Sequence, residues 1–464
     1  MICHEHGGIS NVIITKFAKI EGEYWFMKNL VEEKDGKLYY NGYCLVDLAK
    51  KFGTPLTVTF LDIIKERILS LKDAFEKAKK TTNYKGDFIY LNANKANYGK
   101  DEIESAFIFA DGLETSSFYD LVLSLKMYEK YPLFHDKLIV CNGLKQDDYL
   151  DAVVMAHNIG YNIITIIDDI YEYEYLKKKG PKLKIGLRIH LSSLYEPEVP
   201  DDRFGLMEDE INYILNDVKN TNLILDTIHY HQRGFDFEED KFFKNFDIAF
   251  NYYIKAKKMY DSVVYFDFGG GTPLPIEGNF DYEAYATSIL NHIKDLCFKN
   301  DIPVPHLISE NGKYSQKDST VNIYKVVGTK NTGEYPWYIV DSSLLIALPE
   351  MYALGEPMLI KPINNLNEKM VKARLAGITC DCDDVYFDKS KGYFEIPDCD
   401  DDYIALLGTG SYQNSMNGKG GVHHCMLPEE KDVIIYYKNG VELVKVRKEL
   451  QTIEDIYNIL NIKH

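Results

Sequence analysis

The chain has 464 residues, 45 % of them hydrophobic, so its length suits two or three domains, or one large barrel with a smaller partner. Its 53 basic against 71 acidic residues give a formal charge of −18, which argues against nucleic acid and anionic membranes and suits a cationic small substrate. The eight cysteines are scattered without paired metal spacing, which fits a reducing cytoplasm rather than a disulfide scaffold, and no metal site is expected.

In chain order, the start Met1-Ile-Cys-His-Glu-His6 has no basic segment followed by an apolar run, so no signal peptide is expected. No stretch approaches a membrane span. Residues 1–52 are expected to pack with a later β-rich domain and to add strands to it. Within them Lys37 to Leu45 carries the alternation and Asn-Gly turn of a hairpin, and Leu45–Phe52 reads as a short helix. From residue 53 to 312 a strand-then-helix rhythm predicts a barrel. Its strands are placed at Leu56–Phe60, Phe88–Leu91, Lys137–Cys141, Asn162–Ile167, Leu183–Ile189, Leu223–His229, Val263–Phe268 and His306–Glu310. The clearest helix, Lys241–Tyr260, aligns Phe242, Phe246, Ala249, Phe250, Tyr253 and Ile254 on one stripe. About eight such units predict an α/β fold with a closed (β/α)8 barrel, whose site lies at the C-terminal ends of the strands. Residues 313–464 lose the long helices. Strands are predicted at Val321–Val327, Tyr338–Leu345, Met358–Lys361, Arg374–Cys380, Tyr403–Leu407, Val433–Tyr437 and Val441–Val446, before a closing helix at Ile453–Leu460.

Several strand ends carry residues suited to chemistry. Lys95 follows a short apolar strand within Tyr90-Leu-Asn-Ala-Asn-Lys-Ala-Asn97, and an amine kept uncharged there can form a Schiff base with an aldehyde. The plain reading is an ordinary solvated lysine. Phe266-Asp-Phe-Gly-Gly-Gly-Thr-Pro273 places Gly269, Gly270 and Gly271 after a strand, where backbone N–H groups can cradle a phosphate or simply make a tight turn. It lacks the lysine of a nucleoside triphosphate loop and the spacing of a dinucleotide fingerprint. Glu310, at the end of the last barrel strand, could face a pyridine nitrogen or form a surface ion pair. His231, closing His229-Tyr-His231, could stack on a flat cofactor or be structural. In Gly377-Ile-Thr-Cys-Asp-Cys-Asp-Asp384 two cysteines one residue apart are poor zinc spacing, and the glycine and glutamate of a calcium loop are missing. A proton-donating cysteine beside acids that hold a cationic substrate is the other reading.

Taken together and in this order, these segments resemble the fold type III pyridoxal-phosphate decarboxylases of basic amino acids, those acting on ornithine, diaminopimelate and arginine. The resemblance runs from Tyr39 to beyond Pro428. Ala93-Asn-Lys-Ala-Asn97 is similar to the family's lysine segment, which implies that Lys95 holds pyridoxal 5′-phosphate. Gly112-Leu-Glu-Thr-Ser-Ser117 and Asp202-Arg-Phe-Gly205 resemble two further family segments. The resemblance assigns Gly269–Gly271 and Tyr412 to the cofactor phosphate, Glu310 to the ring nitrogen, His231 to the ring face, and Ser117 to the cofactor-binding set. Asp341 and Asp381 would hold the substrate's distal charge. Cys380 would donate a proton from a neighbouring subunit, which implies a homodimer with shared sites. Val140-Cys-Asn-Gly-Leu-Lys145 and the Cys380-Asp381 pair resemble compact bacterial biosynthetic arginine decarboxylases.

The pattern departs from the family at two places. The family's phosphate serine is absent from His231-Gln-Arg-Gly234, and Lys313 stands in Glu310-Asn-Gly-Lys313 where an arginine is usual. Arg233 and Lys313 could rebuild the phosphate site. The resemblance implies decarboxylation of L-arginine to agmatine in polyamine biosynthesis. Alternatives are ornithine, lysine or diaminopimelate as substrate, an amino-acid racemase, and a non-catalytic relative that binds a partner or a polyamine.

Overall fold

The computed structural model describes residues 30–191, 203–232, 239–274, 280–356 and 358–462. The start of the chain, Asp202, Arg233 and Gly234 lie outside the described residues.

The first strands, β1 (Val31–Lys34), β2 (Lys37–Tyr40) and β3 (Tyr43–Cys44), form a small antiparallel sheet of their own. The hairpin therefore does not extend the large sheet. It docks on that sheet through Leu38, Tyr40, Leu45 and Val46, which share a core with Val321 and Ile323, and through a 2.9 Å bond from the Leu38 N–H to the Ile363 carbonyl. The strand that the early chain does give to the large sheet is β4 (Leu56–Phe60), expected from sequence to open the barrel. Instead β4 lies between β13 (Thr320–Lys330) and β20 (Lys431–Lys438), antiparallel to the first and parallel to the second. All five of its residues are buried, so it carries no alternation to say which sheet it joins.

The barrel closes with eight parallel strands: β5 (Phe88–Ala93), β6 (Gly112–Thr115), β7 (Leu138–Cys141), β8 (Ile163–Ile167), β9 (Lys184–Arg188), β10 (Ile224–His229), β11 (Tyr265–Asp267) and β12 (His306–Asn311). The eighth member is thus β6, not β4. With one apolar residue in four, β6 offers little strand signal, yet Gly112 packs so tightly that a Cβ would come within 1.9 Å of the Leu138 carbonyl oxygen. The helix Glu239–Met259 lies where the apolar stripe predicts, with Phe246, Ala249, Phe250 and Tyr253 buried.

The ten-stranded terminal sheet adds β14 (Trp337–Val340), β15 (Leu359–Pro362), β16 (Met370–Ala376), β17 (Val385–Tyr386), β18 (Phe394–Pro397), β19 (Tyr403–Leu407) and β21 (Val441–Lys448). The strand expected over Tyr338–Leu345 stops at Val340. Ser343 accepts a hydrogen bond from the Ile346 N–H at 3.2 Å and caps a helical turn at Leu344–Ala347. Likewise the strand expected over Arg374–Cys380 ends at Ala376, which leaves Cys380 on the following loop. No helix among the described residues is long and apolar enough to cross a membrane.

One consequence of strand periodicity positions the site. Leu91, Val140, Ile166 and Ile308 fill the barrel interior. Side chains two residues apart share a face of a strand. The rows therefore continue upward as Ala93, Asn142, Asp168 and Glu310, with Lys95 on the turn that follows β5, and the oily plug gives way to a polar mouth.

Candidate active site

Lys95 sits on a short 3-10 turn, Asn94–Ala96, directly after β5. Asn94 anchors that turn, its amide donating to Asp120 Oδ1 at 3.0 Å and to Ser124 Oγ at 2.8 Å. The terminal domain clamps the other side: Tyr412 N–H donates to the Ala96 carbonyl at 2.8 Å, and the Asn97 amide donates to the Gly410 carbonyl at 2.8 Å. Tyr412 is itself left-handed at φ 57, a conformation a bulky residue adopts only where its surroundings impose it. Farther out, Arg447 grips Glu102 with both arms, tying β21 to the helix after the lysine loop.

The Lys95 ammonium lies 3.6 Å from Glu114 Oε2, and 35 % of its side chain is exposed while Glu114 is fully buried. Burial opposes its charge, but Glu114, Tyr412 and Glu310 outweigh burial and hold the amine protonated above the ordinary lysine range. The free chain thus keeps this amine charged and paired, where the sequence suggested an amine neutralised by its surroundings. Glu310 is buried and accepts from the Asn142 amide at 2.7 Å; the same amide donates to Glu114 Oε1 at 3.0 Å. Burial first, and then Asp267, raise the Glu310 carboxyl well above the usual range. Burial likewise lifts Asp267 to about 7 and lowers His229 to about 4. Burial also lowers His231 well below its usual value, which makes it a neutral imidazole. The Gly270 N–H donates to His231 Nδ1 at 3.3 Å, so the ring proton sits on Nε2.

Gly269 follows β11 with φ +67, and a Cβ there would lie 2.7 Å from His231 Nδ1. Only glycine lets that turn and the imidazole share the space. The structure therefore brings Lys95, Glu310, His231, Gly269, Gly270 and Gly271 together at one end of the barrel, with Tyr412 held against the lysine turn. Lys313 opens the short helix Lys313–Gln316 and is ion-paired with Glu356 at 3.0 Å and Glu350 at 3.4 Å. Ser117 caps the helix Phe118–Lys130, accepting from the Asp120 N–H at 3.2 Å. Three predicted residues keep other company within one chain. Asp341 accepts from Thr54 Oγ1 at 2.5 Å and from the Lys325 N–H at 2.9 Å, Asp381 faces His424, and exposed Cys380 lies against Cys425.

Glu114, Asn142, His229 and Asp267 belong to the site by geometry and were not singled out in the sequence. The signal available was their place, since each sits at or just past a barrel-strand end. The ligand atoms of His229, Asp267 and Glu310 lie within 4.8 Å of one another, but a cation there would compete with the Asn142 amide for Glu310. Pyridoxal phosphate fits better. Glu114 Oε2 is buried without a hydrogen-bond partner beside the only lysine of the turn, and the buried acid, flat imidazole and glycine turn match an aldehyde, a ring nitrogen, a ring face and a phosphate.

Asp120 supplies a pH test. It is buried, lifted to about 7 by burial first and then by Glu114, and accepts from the Ser116 N–H at 2.9 Å. Between its unfolded value near 3.8 and about 7, the folded chain binds the extra proton, so stability falls as pH rises across that window. Asp120→Asn should remove this dependence, shifting unfolding free energy in the variant's favour by about 2–4 kcal/mol between pH 4 and pH 7. Denaturant melts of the cofactor-free protein measure it, and a difference that stays flat across the window refutes the assignment.

A parallel eight-stranded barrel with a lysine, a buried acid and a glycine turn at its mouth defines a pyridoxal-phosphate site of the fold type III class. The family described as "Pyridoxal-dependent decarboxylase, pyridoxal binding domain" matches residues 71–316, and the chain belongs to that family. It is similar to the biosynthetic arginine decarboxylase of Prochlorococcus marinus (strain MIT 9301), at 29 % identity over 346 residues, covering 69 % of this chain and 50 % of the relative. The corresponding protein of Shewanella loihica is 26 % identical over 303 residues, covering 60 % of this chain and 47 % of the relative. The chain spans about half the length of the curated relatives it matches. In fold it is similar to the biosynthetic arginine decarboxylase of Campylobacter jejuni, with TM-score 0.81, 19 % identity and coverage of 94 % and 89 % of the two chains. Diaminopimelate decarboxylase from M. jannaschi gives TM-score 0.77 at 21 % identity, with coverage of 93 % and 98 %.

Proposed function

We propose that the protein is a pyridoxal-phosphate-dependent decarboxylase that converts L-arginine to agmatine. The observation that carries the reading is Lys95 facing Glu114 in the same barrel mouth in which Asn142 holds Glu310. Lys95 would hold the cofactor's aldehyde, Glu310 its ring nitrogen and His231 one ring face. Gly269–Gly271, Tyr412, Ser117 and Lys313 would serve its phosphate, Lys313 by leaving one of its glutamates. When bound, the cofactor draws electrons from the bond to the departing carboxylate. The raised acid at Glu310 keeps a proton at the ring-nitrogen end, and the neutral imidazole of His231 can pack flat there without adding charge.

The reading requires a homodimer. In it the partner subunit's Cys380 returns a proton to the reacting carbon, and the partner subunit's Asp381 holds the guanidinium together with Asp341. Paired carboxylates suit a planar guanidinium better than a point-charge ammonium. The names of the curated relatives and the Cys141-Asn142-Gly143 segment, whose asparagine bridges Glu114 and Glu310, support arginine over ornithine or lysine. The described cysteines are all free thiols, which suits a cytoplasmic setting.

The test is a substrate panel on protein reconstituted with pyridoxal phosphate: L- and D-arginine, L-ornithine, L-lysine and meso-diaminopimelate. Each is followed for CO2 release and for the chirality of the amino acid left behind. L-arginine should give CO2 and agmatine at least about tenfold faster than any other, a preference of about 1.4 kcal/mol. Bound cofactor with no CO2 from any of them would defeat the decarboxylase reading, and loss of chirality without CO2 would make the protein a racemase.

A further inference from the structure

The loop after β16 and the loop before β20 bring together side chains that are far apart in sequence. Cys380 Sγ lies 3.4 Å from Cys425 Sγ. An imidazole nitrogen of His424 joins them, and the three ligand atoms lie within 4.8 Å of one another on the exposed surface. Asp381 Oδ2 approaches His424 Nε2 at 3.5 Å. Two consecutive left-handed residues, Cys425 at φ 56 and Met426 at φ 55, turn this corner of the chain.

The sulfur separation excludes a disulfide and leaves room for a shared metal. A disulfide needs about 2.05 Å. Two thiolates at about 2.3 Å from one tetrahedral zinc stand about 3.8 Å apart. The observed separation is much nearer the second. The carboxylate beside the imidazole is a further mark of a metal centre, because a ligating histidine commonly gives its other ring N–H to a carboxylate that fixes its orientation. Cys380 and Cys382 are poor zinc spacing by themselves, and the missing ligands come from residues more than forty positions downstream.

We propose that Cys380, His424 and Cys425 form a binding site for a soft divalent cation of the zinc class, with Asp381 orienting the imidazole. Binding replaces two S–H protons by two metal–sulfur bonds and releases both protons to solvent. Two thiolates neutralise the dication, His424 Nδ1 is the third ligand, and the fourth position is left for water. Resting on the reading that Cys380 is the proton donor, occupancy also withdraws that thiol from the reaction, so the metal inhibits.

Cobalt reports the site without any need for activity. Reduced, chelator-treated holoprotein is titrated with Co2+. One equivalent per chain should produce a thiolate-to-cobalt charge-transfer band in the near ultraviolet and strong visible bands of a tetrahedral ion, all bleached by Zn2+. Cys425→Ser should halve the charge-transfer intensity and weaken binding at least about tenfold. Asp381→Asn should weaken it about 10–100-fold while keeping the intensity. Cys382→Ser should leave the signal unchanged. No charge-transfer band in the unaltered protein, or a band indifferent to both Cys425→Ser and His424→Gln, overturns the site. Zn2+ should then inhibit CO2 release by the unaltered protein far more than by Cys425→Ser, and equal inhibition overturns the link to catalysis. A cobalt signal without decarboxylation of any amino acid supports the site and removes the decarboxylase reading. Decarboxylation without the signal does the reverse.

Discussion

Lys95→Ala should lower kcat/KM for arginine by about a thousandfold or more, at least about 4 kcal/mol of lost transition-state stabilisation. It should also abolish the visible absorbance that reconstituted protein shows and that borohydride removes. The same substitution disturbs the fold for a separate reason. It strips Glu114, fully buried with an unpartnered Oε2, of its cation. Breaking a wholly buried pair costs about 3–5 kcal/mol, and solvent reaching a third of Lys95 reduces that to about 1–3 kcal/mol. The two effects separate in a double variant. Lys95→Ala with Glu114→Gln removes the stranded charge, so stability should recover while absorbance and activity stay lost. A Lys95→Ala protein that keeps the borohydride-sensitive band, or turns over within about tenfold of the parent, would mean that another amine holds the cofactor.

How much of this could be read in the sequence depended on whether a residue's role is local. Glu310 was legible because it ends an apolar run with a charged group, and Lys95 chiefly because the short segment Ala93-Asn-Lys-Ala-Asn97 matches a family pattern. The helix Glu239–Met259 was legible because its stripe is periodic. Strand β4 was misplaced because a strand buried on both faces looks the same in any sheet, and β6 was missed because Gly112 and Glu114 are chosen for close packing and for the site, not for strand propensity. The hairpin's separation from the large sheet follows from edge pairing, which no local pattern encodes.

Within the site, convergence was the illegible part. Asn142 matters because one amide reaches both Glu114 and Glu310, and these lie on strands 28 and 168 residues away. Nothing at position 142 announces that. The same holds for Cys380, whose neighbour is 45 residues on. Its cysteine–aspartate pairing could be matched to a family pattern, but its contact with a second thiol and an imidazole could not.

Glu310→Gln isolates the acid itself and should lower kcat by about 10²–10³-fold, roughly 3–4 kcal/mol, with the fold intact. The fold should tolerate it because a glutamine oxygen can still accept from the Asn142 amide, now 2.7 Å from Glu310 Oε1, and because it removes a buried acid that burial, Asp267 and Glu114 all push up. What it cannot do is carry a charge-assisted hydrogen bond, about twice as strong as a neutral one, to a basic ring nitrogen. The neighbouring acid offers an internal check. Asp267→Asn removes a contribution that raises Glu310, so Glu310 gives up its proton at lower pH and the alkaline limb of the kcat profile should move toward lower pH. If Glu310→Gln retains kcat within about threefold, less than 1 kcal/mol, the ring nitrogen is not served by this acid and the decarboxylase mechanism needs a different proton holder at the barrel mouth.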